Sequence, residues 1–188
     1  MAYIGGIVTG FYLFASAPGI HKKKKWQHLT GWDYAHRGLY DNEHGIPENS
    51  MAAFRRAVDK GYGIELDVHL TADNQLVVFH DDTLTRMCGM NKKISSFLYS
   101  DLMQLRLLGT EEGIPLFKDV LELIDGKVPL IIELKVDGSN QNLLCPLVWQ
   151  LLSMYKGDYC IESFHPFVLQ WFKRHEPQVV RGQLSCNF

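Results

Sequence analysis

Apolar and polar positions alternate in blocks along the chain. From Trp32 onward, short runs rich in Val, Ile, Leu, Phe and Tyr are bounded by Gly, Pro, Asp or Asn and separated by amphipathic stretches. That is the pattern of strands joined by helices in a mainly parallel α/β sheet. Strands are predicted over residues 32–36, 63–68, 75–80, 130–135, 159–164 and 178–184. Asn49-Ser50 offers a helix cap, Met51, Phe54 and Val58 recur at helical spacing, and Gly61 supplies a stop. Further helices are predicted from a cap at Ser100 or Asp101 through Leu108, over 120–124 behind Pro115 to Asp119, and over 143–155 and 166–174. The link Asp73-Asn74 is too short for a helix, so on the apolar pattern alone the second and third strands are linked irregularly by a tight turn, with antiparallel pairing there an open alternative.

The first 25 residues read differently. Residues 2–20 carry no charged side chain and Lys22 to Lys25 follow directly, the pattern of a short membrane helix with a basic stop on its cytoplasmic side. The expectation is a membrane anchor over 1–25 and one globular domain over 26–188, held in the cytoplasm. The rival is a secretory signal peptide cut after Ala15-Ser16-Ala17. No Lys or Arg precedes the apolar run and Pro18 would follow the cut, both of which weigh toward the anchor.

Composition narrows the function classes. Of 188 residues, 46% are hydrophobic, which suits a folded domain and excludes disorder and coiled coil. Lys plus Arg number 19 against 21 Asp plus Glu, so the basic excess expected of a nucleic-acid binder is missing. Cys88, Cys145, Cys160 and Cys186 form no C-x-x-C pair and read as reduced thiols.

Candidate chemistry lies where charges interrupt the apolar runs. Residues two apart on a strand share a face, so Glu65 and Asp67 present two carboxylates to one side. Glu133 and Lys135 repeat the arrangement, and His36 and His80 each end an apolar run. A single such residue is ordinarily half of a solvated salt bridge; this many at strand ends point to a site. Three carboxylates without a thiolate favour Mg²⁺ or Ca²⁺ over zinc. Two imidazoles can serve as acid and base, and Arg37 and Lys135 can hold a phosphate. His69 shares the parity of Asp67 and stays open as a ligand. His21, His28, His44, His165 and His175 read as surface or loop residues.

Ala35-His36-Arg37-Gly38, Pro47-Glu48-Asn49-Ser50, Ala53-Phe54, Ala57, Gly61, Glu65-Leu66-Asp67-Val68, Thr71, Asp73 and His80-Asp81 resemble, in order and spacing, the amino-terminal signature of the glycerophosphodiester phosphodiesterase family. Leu84, Arg86, Ile114-Pro115-Leu116, Glu133-Leu134-Lys135 and Ser163-Phe164 extend the likeness to about residues 32–185. The resemblance implies a TIM barrel with all strands parallel, including the pair across Asp73-Asn74. It implies Glu65, Asp67 and Glu133 as metal ligands, His36 and His80 as acid and base, and Arg37 and Lys135 as phosphate contacts. Glu48 matches a site-lining position of open role. The implied reaction converts a glycerophosphodiester and water to glycerol 3-phosphate and an alcohol: a glycerol hydroxyl attacks the neighbouring phosphorus, the alcohol departs, and water opens the resulting cyclic phosphate.

A TIM barrel has eight strands and about 250 residues, whereas six strands are counted here. The expectation is a barrel lacking its last two strands, in a fragment of a longer reading frame, with open edges prone to pair with another chain. An inactive remnant that binds phosphate or a lipid headgroup is the alternative from another functional class, and lysophospholipase D activity the alternative within the enzymes.

Overall fold

The computed structural model describes residues 27–185. The proposed anchor over residues 2–20, its lysine flank and Cys186 lie outside the described residues. Among the described residues no helix is long and apolar enough to cross a membrane.

All six predicted strands form, within a few residues of the expected bounds: β1 Tyr34–His36, β2 Gly63–Leu70, β3 Leu76–Val78, β4 Leu130–Leu134, β5 Tyr159–Ser163 and β6 Val180–Gln183. They make one sheet in the order β1-β2-β4-β5-β6, every neighbour on that path parallel, with β3 attached to β2. The helices follow the strands: α1 Met51–Lys60, α2 Thr85–Cys88, α3 Tyr99–Leu102, α4 Phe117–Ile124, α5 Gln141–Leu152 and α6 Pro166–His175. This is the architecture of a (β/α) barrel wall.

Two expectations are corrected. β3 pairs with β2 antiparallel, with Val68 opposite Val78 and Leu70 opposite Leu76. The tight turn at Asp73-Asn74 forces this, since a parallel return needs a crossover of a dozen or more residues. β3 is therefore an excursion from the barrel, and the parallel path has five strands rather than six. The helix predicted from Ser100 or Asp101 through Leu108 is one turn long, Tyr99–Leu102: Gln104 and Leu105 close it with tighter i→i−3 bonds, and the chain is extended at Arg106 before a separate 3-10 turn at Leu107–Gly109.

Local chemistry explains the elements that carry the site. Ser50 caps α1, its Oγ accepting from the Ala53 N–H, and Gly61 closes it at φ 70° with its own N–H on the carbonyls of Ala57 and Val58. The face of α1 bearing Ala53, Phe54 and Ala57 is fully buried. β2 is buried along its whole length. Its Ile64, Leu66 and Val68 join the core between sheet and helices, each stabilising the fold by about 1.5–3 kcal/mol, while Glu65, Asp67 and His69 point the other way. The excursion has a core of its own, in which Val77, Phe79, Leu84, Met87, Ile94, Leu102, Leu107 and Ile114 pack together. It fixes the loop that follows β3.

Candidate functional site

The parallel strands deliver their charged residues to one rim. Register sets Asp67 of β2 opposite Glu133 of β4, and Glu133 opposite Glu162 of β5, while His36 of β1 is opposite Glu65. Because β3 runs back along β2, with the Phe79 N–H donating to the Asp67 carbonyl at 3.0 Å, His80 also arrives at this rim.

Oxygen atoms of Glu65, Asp67 and Glu133 lie within 4.8 Å of one another, and all three residues are buried. Two cations stand among them. Lys135 Nζ is 2.7 Å from Glu133 Oε1 and 3.0 Å from Asp67 Oδ1, and Arg37 Nε is 3.8 Å from Asp67 Oδ2. Lys135 pairs with Asp67 as an ion without hydrogen-bond alignment, and Asp67 Oδ1 and Arg37 Nε are both buried with no hydrogen bond. Asn49 donates through Nδ2 to Asp67 Oδ2 at 2.9 Å, and the Arg37 N–H donates to Glu65 Oε2 at 3.0 Å. Arg37 and Asn49 reach these positions at φ 57° and 53°, in the left-handed region that costs a non-glycine residue conformational energy.

Like charge and burial leave the acids short of compensation. Burial and the adjacent Asp67 push Glu65 up to about 8. Burial also raises Glu133, against the opposing pull of Lys135. For Lys135 burial works against the charge, yet Asp67 and Glu133 together hold its pKa above the usual lysine value. Burial and then the charges of Glu133 and Asp67 push Glu162 up to about 7.

The imidazoles flank this cluster. His36 Nε2 is 3.9 Å from Glu65 Oε2, its side chain largely exposed. Burial and the Arg37 charge lower its pKa, which favours the neutral ring. His80 Nδ1 is 2.6 Å from Asp81 Oδ1. Burial opposes the Asp81 charge, but hydrogen bonds from Arg86 and His80 outweigh it and hold the carboxyl at about 2. A carboxylate only accepts, so His80 Nδ1 carries the proton and Nε2 is the atom left for chemistry. Glu48 is buried between Arg37 and Arg86, and their hydrogen bonds overcome its desolvation and hold it at about 2. A cleft of about 340 Å³ opens beside Glu133 and Lys135, lined also by Asp82, Ser163, Phe164 and His165. A second cleft, about 370 Å³, lies between α4 and α5 on the helical side and shares none of these residues.

All eight predicted site residues thus meet at one rim, with differences in detail. Arg37 and Lys135 are engaged with carboxylates. His69, left open as a ligand, is buried outside the acid cluster; burial lowers its pKa, and its Nε2–H donates to the His80 carbonyl at 3.2 Å. His165, read as a loop residue, lines the cleft. Asn49 was read only as a cap. Glu162 was missed, although it interrupts an apolar strand end as the other acids do. Cys88, Cys145 and Cys160 are free thiols, as expected.

The donor set suits a hard divalent cation. Three carboxylates without sulfur converge, and Asp67 Oδ1 keeps unmet acceptor capacity.

The sequence pattern described as the glycerophosphoryl diester phosphodiesterase family matches residues 36–186. A lysophospholipase D of Rattus norvegicus is 34% identical over 173 residues, 85% of this chain and 52% of the relative. A glycerophosphodiester phosphodiesterase of Caldanaerobacter subterraneus is 34% identical over 166 residues, 80% of this chain and 65% of that one. The solved structure of an Oleispira antarctica phosphodiesterase in complex with the product sn-glycerol-3-phosphate superposes with a TM-score of 0.75 at 27% identity, covering 82% of this chain and 66% of that one. The chain spans about half to two thirds of the length of these relatives.

Proposed function

This chain belongs to the glycerophosphoryl diester phosphodiesterase family, and from that premise we propose that it hydrolyses glycerophosphodiesters to glycerol 3-phosphate and an alcohol. The observation that carries the reading is the convergence of Glu65, Asp67 and Glu133 on one rim with His36 and His80 beside them. The Oleispira structure, whose product is sn-glycerol-3-phosphate, supports the substrate class.

Glu65, Asp67 and Glu133 would hold Ca²⁺ or Mg²⁺, which when bound withdraws charge from the phosphate and lowers the pKa of a coordinated hydroxyl. The chain's own groups do the rest. His36, whose lowered pKa favours the neutral ring and whose side chain is open to solvent, accepts at Nε2 the proton of the attacking glycerol hydroxyl. His80, entering the step protonated at both ring nitrogens, gives its Nε2 proton to the oxygen of the departing alcohol, so the P–O bond breaks without expelling an alkoxide and leaves a cyclic phosphate. Water then opens that ring to glycerol 3-phosphate, yielding a proton to His80 Nε2 while His36 Nε2 returns its own to the ring oxygen. Asp81, behind Nδ1, keeps that ring oriented. Arg37 brings a fixed charge and a buried Nε–H that makes no hydrogen bond, its nearest acid being Asp67 Oδ2 at 3.8 Å, and so suits a phosphate oxygen. Lys135 adds a point charge from the opposite strand. Residues 2–20 would tether the domain at the cytoplasmic membrane face, near its lipid-derived substrates.

Lysophospholipase D activity is favoured as a second reading by the name of the rat relative. Release of glycerol 3-phosphate from glycerophosphocholine, compared with choline release from lysophosphatidylcholine, each with Ca²⁺ or Mg²⁺ and with chelator, separates the two. His36→Ala and His80→Ala should lower turnover by about a hundredfold or more while metal binding persists. Turnover that survives chelation, or both histidine changes, refutes the assignment.

A further inference from the structure

Arg86 lies outside every role assigned above, yet it makes the most regular set of contacts near the rim. Nε and Nη2 fork onto Asp81, at 2.8 Å to Oδ2 and 2.9 Å to Oδ1. Nη1 and Nη2 fork onto Glu48, at 2.8 Å to Oε2 and 2.7 Å to Oε1. The oxygens that Nη2 touches are the ones that hold the site. Asp81 Oδ1 also takes His80 Nδ1 at 2.6 Å, and Glu48 Oε1 also takes Arg37 Nη1 at 2.8 Å. One unbroken chain of charge-assisted hydrogen bonds therefore runs from Arg37 through Glu48, Arg86 and Asp81 to His80.

We infer that Arg86 is the positioning residue that sets His80 and Arg37 at a fixed separation across one bound phosphodiester. Two guanidiniums and two carboxylates balance, so the chain is complete before substrate or metal arrives. Arg86 has neighbours suited to this task, since Leu84 and Met87 on either side are buried in the core of the excursion. That gives the antiparallel excursion a purpose: it carries both His80 and the residue that aligns it. Only a planar group with five donors can fork onto two acids at once, which a lysine cannot do. With Arg86 gone, Glu48 keeps only Arg37 and the Asn42 amide, at 3.4 Å from Oε2, and Asp81 is free to rotate away from His80 Nδ1 and release its tautomer.

The inference rests on the proposed phosphodiesterase reading only for its kinetic half. In the full chain, ¹⁵N spectra of His80 need no substrate. The wild type should show a ring protonated at Nδ1 alone when neutral, and Arg86→Ala a mixture of tautomers. With glycerophosphocholine, Arg86→Ala should lower kcat by about a hundredfold and change KM far less, as for a misaligned reacting group. Millimolar guanidinium should restore part of kcat in that variant and none in His80→Ala. Arg86→Lys, which keeps the charge but bridges only one acid, should lose about tenfold, and it serves in the same assays if the alanine variant does not fold. An unchanged His80 spectrum in the variant that folds overturns the positioning role, whatever the kinetics. So does a kcat within about twofold of wild type. A wild type without turnover refutes the function, and the spectra still decide the alignment.

Discussion

Glu65, pushed up to about 8 by burial and by Asp67, must lose a proton before it can serve a metal. The metal-free protein at pH 7 therefore keeps about nine in ten of its Glu65 side chains protonated, one unit below that value. Binding as a carboxylate releases about 0.9 proton per ion at pH 7 and about 0.5 at pH 8 from this group alone. The cost at pH 7 is about 1.4 kcal/mol, so apparent affinity should rise about tenfold between pH 6 and pH 7 and flatten above pH 8. Glu133, raised also by burial, adds in the same direction. The sign carries into stability. A carboxyl raised above its unfolded value of 4.5 favours the fold below that pH, and the benefit is lost as pH rises through 8. Added metal should therefore protect the fold most on the alkaline side. Calorimetric titration of Ca²⁺ or Mg²⁺ in buffers of different ionisation enthalpy counts the protons directly, and Glu65→Gln should bind more weakly and release fewer. Binding that releases no protons at pH 7, with affinity constant from pH 6 to pH 8, refutes the reasoning about this cluster.

Asn49→Ala removes the Nδ2 donor from Asp67; metal affinity should fall by about 10–100-fold and stability by about 1–3 kcal/mol, read by metal titration and thermal melts. Asn49→Gly, which relaxes the φ of 53° but also lacks the donor, should lose the same affinity with less stability loss. Glu48 and Asp81, both held at about 2 by their arginine partners, stabilise the fold above their unfolded values, and this is lost as pH falls toward 2. Melting temperature should thus drop steeply between about pH 4.5 and 2, and Glu48→Gln should flatten that drop. Gly38 sits at φ 81° where an added Cβ would meet the Ala53 Cβ at 2.9 Å. Gly38→Ala should cost about 2 kcal/mol or more in a denaturant titration, and it should weaken activity by shifting the Arg37 loop off α1.

The legible part of this molecule was the part written in alternation. Strand positions followed from apolar runs, and the acids were visible because Glu65, Asp67 and Glu133 break those runs at cost to the core. Glu162 gives the same signal, interrupting the apolar run of β5 where it faces Glu133. What could not be read was whatever depends on chain direction after a turn. The apolar pattern around Asp73-Asn74 left the antiparallel pair open, the family likeness closed it in favour of a parallel one, and the structure has the antiparallel pair. Asn49 illustrates a second limit. Its sequence context is that of a helix cap, but Ser50 takes the cap and frees the Asn49 amide for Asp67. Arg86 illustrates a third, because nothing local shows that a side chain five residues past Asp81 returns to grip both Asp81 and Glu48.

These hidden contacts share a physical cause. A rim of four carboxylates, two of them two residues apart on the eight-residue β2, repels itself unless cations are held among them, and each cation must itself be held. Arg37 meets the demand from a strained φ, anchored by Glu48; Lys135 meets it from the residue following β4; Asn49 donates from a second strained position. The strain is therefore placed where electrostatic repulsion is greatest. A divalent ion would relieve the same repulsion more fully than Lys135 and Arg37 do, leaving both side chains with donors for a phosphate. On that logic Lys135→Met should destabilise the metal-free protein far more than the metal-loaded one, compared by thermal melts at about pH 9, one unit above the value for Glu65, where that acid too is mostly charged. Equal losses in the two states would mean that Lys135 is a packing residue and that the acids need no counter-charge.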